Sequence, residues 1–390
     1  MMLDLLRSAA GAAAAVATLP GTIELFALTA AALVPSRRPS PAGGSLAIAV
    51  VIPAHNEAGG IGACVRSVLA CRPAAVVVVA DNCTDSTAAV AAAAGARVFT
   101  RSDEVRRGKG YALDFAFERL LPEGFDAFLV IDADTIVAEN LISEFHAWFA
   151  AGADAAQCRY AVRNAGDSVR TRLMNVALLA FNSLRPRGRG NLGLSAGILG
   201  NGFAISRRVL EAVPYSAVSV VEDLEYHIRL VRAGYCVRFA GATAVYGEMP
   251  TGGKGVKSQR SRWEGGRLRM ALDFVPALAG DVLRGRVRLL EPLLDLALLP
   301  LAFHVALVLV ALAAPAGIVR DYGLAAAGVV AAHILAAIAV SGGGWRDVGV
   351  LAAAPFYIVW KLGMLPLVWR ASRRNASWVR TERVGTGEGK

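Results

Sequence analysis

Two acidic residues directly follow an apolar run in the first half of the chain. Residues 127–131 (AFLVI) predict a buried strand, and Asp132 and Asp134 come immediately after it. Two carboxylates at a strand end can share one divalent cation, and hard oxygen ligands suit Mg²⁺ or Mn²⁺ held together with phosphate oxygens. Such pairs are also common in solvated loops, so this pair alone leaves both interpretations open.

A second acidic cluster, Asp81 to Asp85, follows the apolar run 75–80. A carboxylate at that strand end can accept hydrogen bonds from a nucleobase or a ribose, which makes Asp81 a binding candidate. Thr84 or Asp85 can instead cap the helix predicted over 86–94. Both roles are compatible within one loop.

A basic, glycine-containing turn precedes the helical run 111–120. Its glycines let the backbone approach a ligand, and Lys109 can meet a phosphate. The spacing is not that of a Walker motif. An exposed basic turn is the alternative interpretation.

An acidic pair, Glu222 and Asp223, opens the helix predicted over 224–233. The helix dipole favours acidic residues at this end, which by itself explains Glu222. Asp223 is the better candidate for a catalytic base.

The segment QRSRW places Gln259, Arg262 and Trp263 on one face of a helix, because they stand at i, i+3 and i+4. Arginine suits a pyrophosphate and tryptophan can stack on a sugar ring. A lipid-facing tryptophan with basic interfacial neighbours is the alternative.

Strands must position these side chains. Apolar runs at 46–53, 75–80 and 127–131 alternate with helical patterns at 60–70 and 86–94. This alternation predicts βαβ units and a parallel sheet, whose ligands gather at the carboxyl ends of the strands.

The composition indicates a membrane protein. Hydrophobic residues make up 55% of the 390 residues and charged residues 18%, against about a quarter in soluble domains. The net charge of +10 comes from basic residues beside apolar segments, which fits lipid headgroups rather than nucleic acid. Five cysteines without a CxxC pair predict neither a disulfide framework nor a zinc site.

Four apolar segments are candidate membrane spans: 11–34, 289–314, 322–340 and 348–369. The first, with Glu24 inside it, reads as a retained anchor rather than a signal peptide. The last contains Lys361, which is costly in a bilayer, so this segment is a candidate for an interfacial or re-entrant position. His304 and His333 are expected to make polar contacts between helices.

The basic tail bears on topology. The arginines of the tail favour a position on the cytosolic side. Two full C-terminal spans plus one interfacial helix would place the tail there. The predicted domains are an anchor (1–44), a globular domain (45–254), interfacial amphipathic helices with QRSRW (255–288), a transmembrane region (289–370) and a basic tail (371–390). The stretches 39–44 and 385–390 look loose.

In this order, the motifs resemble the membrane-bound family 2 glycosyltransferases, which include cellulose, hyaluronan, chitin and poly-N-acetylglucosamine synthases and ceramide glucosyltransferase. The resemblance covers about residues 45–270. The matching segments are VIPAHNE (51–57), DNCTD (81–85), GKG (108–110), DAD (132–134), GNGFAIS (200–206), VED (221–223) and QRSRW (259–263).

The resemblance implies an α/β GT-A fold, Rossmann-like with a mostly parallel sheet, in a cytosolic domain with transmembrane helices at both ends. It implies an inverting hexosyltransferase that uses a UDP-sugar with Mg²⁺ or Mn²⁺. Pro53, Glu57 and Asp81 would line the nucleoside site, Lys109 and Asp132 the rest of the donor, and Asp134 the metal, while Asp223 would be the base. The acceptor and pyrophosphate residues would be Gly200, Asn201, Gly202, Glu222, Gln259, Arg262 and Trp263.

The expected acceptor is a glycan or a lipid-linked molecule, in polysaccharide or glycolipid synthesis. The expected location is multi-pass in a bacterial inner membrane, with membrane lipids and export or synthase proteins as partners. The small membrane part makes a self-contained polymer channel questionable, and processive and single addition both stay open. A non-catalytic nucleotide-sugar-binding subunit is the rival function, whereas a transporter would place its polar residues within the spans.

Overall fold

The computed structural model describes residues 2–36, 38–39, 46–216, 219, 221–250 and 253–373, without the side chains of 253–256, 258 and 259. The predicted loose segments, beyond Pro39, lie outside the described residues. So does the basic tail after Arg373, which includes Arg374, Arg380 and Arg383.

Eight strands form one sheet, and they begin and end close to the predicted apolar runs. The three strands predicted from sequence correspond to the first, second and fourth. The strands are β1 (Ile48–Ala54), β2 (Ala75–Asp81), β3 (Arg97–Arg101), β4 (Ala127–Val130), β5 (Ile136–Val137), β6 (Ala155–Val162), β7 (Phe203–Ser206) and β8 (Val237–Gly247).

The strand order is β3-β2-β1-β4-β7-β6-β8-β5. Strand β1 pairs in parallel with β2 and β4, and β2 pairs in parallel with β3. Strand β7 runs antiparallel between β4 and β6, while β6 and β8 are parallel. The predicted mostly parallel sheet is therefore confirmed, and the polar segments that follow β1, β2 and β4 emerge at one edge.

Within the described residues, sixteen α-helices surround or follow this sheet, and a π-helical turn, Ala180–Leu184, links the sixth to the seventh. They are α1 (Met2–Leu33), α2 (Ile61–Ala70), α3 (Thr87–Ala93), α4 (Lys109–Leu120), α5 (Leu141–Ala150), α6 (Val169–Leu179), α7 (Arg185–Asn191), α8 (Arg207–Ala212), α9 (Glu222–Arg232), α10 (Gly253–Leu283), α11 (Leu290–Ala297), α12 (Leu301–Leu312), α13 (Ile318–Val340), α14 (Trp345–Gly349), α15 (Ala354–Gly363) and α16 (Leu365–Ala371).

The core lies on both faces of the sheet. Side chains of a strand alternate between faces, so Val50 and Ile52 pack toward α2 and α5 while Val51 and Val79 pack toward α4. Burial on both faces explains why these strands are continuous apolar runs in the sequence.

Among the described helices, α1 and α13 are each long and apolar enough to cross a membrane. Two bent helix pairs raise the number to four if each pair is one span, by length and composition. The predicted first and third spans thus correspond to single helices.

The predicted span 289–314 is not one helix. It is broken at residues 298–300, and the two helical parts meet at 78°. Pro300 has no N–H to continue a helix and instead caps α12. The predicted span 348–369 is also bent, by 49°, and Pro355 and Pro366 stand in the first turns of α15 and α16.

Polar side chains attach α1 to its neighbours. Thr22 Oγ1 lies 3.3 Å from His304 Nε2 and 2.9 Å from the hydroxyl of Tyr322. Thr29 Oγ1 lies 2.8 Å from His333 Nδ1. The predicted interhelical polar contacts of both histidines are confirmed.

Glu24, the one charge in the apolar run 11–34, is neutralised by an ion pair. Arg185 Nη2 lies 2.8 Å from Glu24 Oε1, and Arg189 Nη2 lies 2.7 Å from Asp295 Oδ1. These pairs join α1 to α7 and α11. Glu24 also lies 3.6 Å from Arg189, and Arg185 lies 3.4 Å from Asp295, so the four side chains form one buried network of ion pairs.

The region predicted as interfacial helices is mainly one continuous helix, α10, packed against other parts of the chain. A Cβ on Gly265 would lie 2.6 Å from the Cβ of Ala371 on α16. Met270 and Leu278 are buried in a cluster with Leu289 and Leu296. Helix α10 therefore connects the sheet domain to the C-terminal helices through tight packing.

Candidate active site

A cavity of about 1170 Å³ opens at the carboxyl ends of β1, β2 and β4. It brings together residues that are far apart in the sequence. Of the predicted site residues, those that line it are Pro53, Glu57, Asp81, Lys109, Asp132, Asp134, Gly200, Glu222, Asp223, Arg262 and Trp263.

Asp81, at the end of β2, is held by an arginine that sequence reasoning missed. Arg101 Nη1 donates to Asp81 Oδ1 at 2.6 Å, and both side chains are buried. The imidazole of His55 bonds the Asp81 carbonyl oxygen at 2.8 Å. The strand register could have revealed this ion pair, since Arg101 of β3 lies directly opposite Asp81 of β2.

Two predicted acceptor residues lie beneath the cavity instead of in its wall. Asn201 is fully buried; its Oδ1 accepts from the backbone N–H of Asp132 at 3.1 Å, and its Nδ2 donates to Thr135 at 2.8 Å. Gln157 donates to the carbonyl oxygens of Asn201 and Gly202. Asn201 therefore fixes the loop that carries Asp132 and Asp134, and Gln157 in turn holds the backbone at Asn201 and Gly202.

Lys109 lies between carboxylates. Its Nζ is 2.5 Å from Asp132 Oδ1 and 4.0 Å from Glu222 Oε1, and it also donates to the carbonyl oxygen of Gly200. Burial lowers the pKa of Lys109, but the attraction of Asp132 and Glu222 outweighs burial and raises it above its usual value. One ammonium thus links Asp132 to the acidic pair of α9.

The acidic pair stands at the start of α9. Asp223 Oδ1 accepts from the backbone N–H of Leu224 at 2.9 Å. Burial raises the pKa of both carboxyl groups, that of Glu222 to about 8, and the Lys109 charge acts in the opposite direction. A carboxylate with a raised pKa is a stronger base, as general-base catalysis requires.

A divalent cation fits the oxygen donors at the end of β4. The described residues contain no group of three or more His, Cys, Asp or Glu side chains arranged to hold a metal. Asp132 and Asp134 nevertheless line one cavity wall. Mg²⁺ is commonly bound by one or two carboxylates together with substrate phosphates, so two carboxylates suffice.

The start of α10 supplies the remaining wall. Arg262 and Trp263 line the cavity, whereas the side chain of Gln259 lies outside the described residues. Glu264, the next residue, pairs with Lys361 at 2.9 Å. The sequence did not predict this pair. It identified Lys361 only as a charge that is costly in a bilayer, and Glu264 is the carboxylate that pairs with it.

Two sequence comparisons identify what the chain is similar to. A family model described as glycosyltransferase like family 2 matches residues 45–266. The probable glycosyltransferase YdaM of Bacillus subtilis is 27% identical over 247 residues, which are 58% of this chain and 57% of that protein. The chain therefore spans just over half the length of this relative.

A solved structure extends the similarity to the helices. The mannosyltransferase PcManGT from Pyrobaculum calidifontis, in complex with GDP-Man and Mn²⁺, covers 94% of this chain and 97% of its own. The TM-score is 0.54 and the identity 16%. Similarity at this distance establishes a shared fold.

Proposed function

The chain belongs to glycosyltransferase family 2 and has a GT-A-like fold, and from this premise we propose that it is an inverting, membrane-embedded hexosyltransferase using a UDP-sugar. The observation that carries the proposal is the shared cavity wall. Asp81, Lys109 and Asp132, which would bind the donor, line the same cavity as Asp223 of α9.

The donor half would hold the nucleotide. Asp81, fixed by Arg101, would bind the base, with Pro53 and Glu57 beside it. Arg262 would meet the diphosphate, since a guanidinium forms two parallel bonds to phosphate oxygens. Lys109 would break its ion pair with Asp132 and bind the same phosphates. The Asp132 carboxylate would then be free to bind the donor.

Asp132 and Asp134 would hold Mg²⁺ or Mn²⁺, which when bound neutralises charge on the departing diphosphate. That the loop carrying these two carboxylates is fastened by fully buried Asn201 supports this assignment. A carboxylate pair held in one orientation needs little rearrangement when donor arrives.

The chemical step would be one displacement. The acceptor oxygen forms a bond to the anomeric carbon as the bond from that carbon to the diphosphate oxygen breaks. The nucleoside diphosphate leaves with the electron pair, and the acceptor proton passes to the Asp223 carboxylate. Attack opposite the leaving group converts an α-linked donor to a β-linked product. General-base assistance contributes about 10²–10⁴-fold.

The membrane location is part of the proposal. Helices α1 and α13 are the candidate spans, and the basic residues Arg284, Arg286 and Arg288 next to α11 favour a cytosolic sheet domain. The product would then be a glycolipid or an extracellular polysaccharide.

Radiolabel transfer tests this proposal. Full-length protein in native membranes is given a panel of UDP-sugars, and GDP-mannose for comparison, with and without Mn²⁺. Metal-dependent transfer from one UDP-sugar, lost in Asp223→Asn with nucleotide binding retained, is the expected result. Nucleotide binding without transfer from any donor would favour the non-catalytic subunit, and transfer only from GDP-mannose would overturn the choice of donor.

A further inference from the structure

The cavity that contains Asp223 extends beyond the sheet domain. It continues to a wall formed by apolar helices, where Leu25 of α1, His304 of α12 and His333 of α13 line it. Its volume of about 1170 Å³ exceeds the roughly 300–1,000 Å³ of usual small-molecule sites. It therefore has room for an acceptor beside the donor.

We call the part lined by Glu24, Arg185, Arg267, Asp295 and Lys361 the inner end of the cavity. Ion pairs connect its members. Arg185 Nη2 lies 2.8 Å from Glu24 and 3.4 Å from Asp295, and Arg267 Nη1 lies 3.5 Å from Asp295. Lys361 Nζ stands 5.1 Å from the ring centroid of Phe303 on α12. These contacts place the charges among the helices rather than in the sheet domain.

Basic groups outnumber acidic groups in this wall. Glu291 does not line the cavity but pairs with Arg189 at 2.9 Å. If Glu291 is counted with the acidic lining residues, the basic residues still outnumber them. Buried charges among apolar helices are costly and typically mark a substrate path. The lining groups are the basic Arg185, Arg189, Arg260, Arg267 and Lys361 and the acidic Glu24, Glu264 and Asp295.

The inner end also has an apolar border. Residues 298–301, where α11 and α12 meet at 78°, line the cavity. Leu299 does so while 40% exposed, so it stands at an opening of the cavity. A ligand with a charged group at the inner end can therefore extend an apolar part outward past Leu299.

We propose that the acceptor is a lipid-linked phosphate that enters at this break. Its phosphate would lie against Arg185, Arg267 and Lys361, and its chain would leave past Leu299. Its accepting oxygen would be a hydroxyl group that gives its proton to the Asp223 carboxylate as its bond to the anomeric carbon forms. This inference rests on the proposed function and narrows its acceptor to an anionic lipid. A guanidinium-rich wall suits a phosphate, and an apolar border suits a hydrocarbon chain.

The test uses purified full-length protein with the radiolabelled donor panel. The acceptor probe is a lipid extract of the expressing cells, separated by anion exchange into neutral and anionic fractions. Leu299→Trp narrows the opening, and Leu309→Trp is its control, because Leu309 lies on α12, is 53% exposed and does not line the cavity. Acceptor-free release of nucleoside diphosphate is measured in parallel.

The radiolabel is expected to partition into chloroform–methanol, and only when the anionic lipid fraction is supplied as the acceptor. Leu299→Trp should lower this labelling at least about tenfold, since a small displacement of a bound substrate has effects of this size. Leu309→Trp should keep both the labelling and the nucleoside diphosphate release of the unmodified chain.

Label from the neutral fraction, or only in water-soluble glycan, would overturn the lipid phosphate and leave the transferase intact. Full labelling with Leu299→Trp would overturn the entry route. Absence of both transfer and nucleoside diphosphate release would overturn the proposed function, and this inference with it.

Discussion

Gly200 stands directly against the Asp223 carboxylate. A Cβ built on Gly200 would lie 2.9 Å from Asp223 Oδ2, and Gly200 has a φ of +78°, which L side chains rarely adopt. The carbonyl oxygen of the same residue accepts from Lys109. One glycine therefore borders both the proposed base and the Lys109 ammonium.

Replacing Gly200 by alanine should displace the Asp223 carboxylate. We expect kcat to fall about 100-fold, as a shift of roughly 1 Å in a reacting group can cause. Gly193→Ala is the control, because Gly193 has a φ of +75° and no atom within 4 Å of its added Cβ. Equal loss of kcat in both variants would mean that backbone strain, and not contact with Asp223, is responsible.

Asp223→Asn should remove the general base while the donor site still binds nucleotide. The expected fall in transfer is about 10²–10⁴-fold, with nucleotide affinity changed little. Single-turnover transfer and titration with the nucleoside diphosphate measure the two quantities. Glu225→Gln, on the same helix but outside the cavity wall, should retain activity. Retained transfer in Asp223→Asn would refute the assignment of this residue.

The transfer rate should fall on the acid side of its pH profile. Asp223 must be ionised to accept a proton, and burial raises its pKa, so activity disappears as pH falls through that raised pKa. Lys109 lowers the pKa of Asp223. Lys109→Met should therefore move the acid limb to higher pH, measured under single-turnover conditions.

Arg106→Met is the control for this shift. Arg106 is exposed, pairs with Asp103 and does not line the cavity. Its acid limb should coincide with that of the unmodified chain. An unchanged limb in Lys109→Met would show that another group governs the profile.

Donor binding should depend on metal through Asp134. In Asp134→Ala, the nucleotide affinity gained on adding Mn²⁺ should largely disappear, while metal-free affinity should stay the same. Calorimetric titration of the nucleoside diphosphate with and without Mn²⁺ measures this. Equal dependence on metal in the variant and the unmodified chain would remove Asp134 from the metal site.

Asp81 and Asp132 could be assigned to one cavity from the sequence because each stands at the carboxyl end of an apolar strand. Asp81 and Asp132 are recognisable from that local rule, and the parallel sheet brings them together. Asn201 is different, since its predicted acceptor role came from its motif. Its side chain points inward to Asp132 and Thr135, a direction that only tertiary packing determines.

The membrane part shows the same limit. Hydropathy finds the apolar segments but not the 78° break before Pro300, because a bent pair and a straight span have similar composition. The partners of Glu24 and Lys361 are distant in sequence, so each appears as an isolated charge. Ion pairs with residues that are distant in the sequence explain both charges, and no local sequence pattern predicts such pairs.

Lys361 and Glu264 should be energetically coupled. Their charged atoms are 2.9 Å apart, with side-chain exposures of 9% and 12%. Glu264→Gln leaves the buried Lys361 ammonium without its carboxylate and should cost about 3–5 kcal/mol. Lys361→Met should cost less, because Arg260 Nη1 lies 3.9 Å from Glu264 Oε1 and stays in place. The double variant leaves neither charge, so its cost should be well below the sum of the two.

Unfolding of the full chain in detergent, followed by tryptophan fluorescence, measures this cycle. Arg163→Met with Glu248→Gln is the matched control, because that pair is 3.2 Å apart but more than half exposed and should couple by under about 1 kcal/mol. Because Glu264 follows Trp263 on α10, each single variant should also raise KM for the acceptor more than for the donor. Additive costs in the buried pair would mean that the ion pair does not fix α10 against α15.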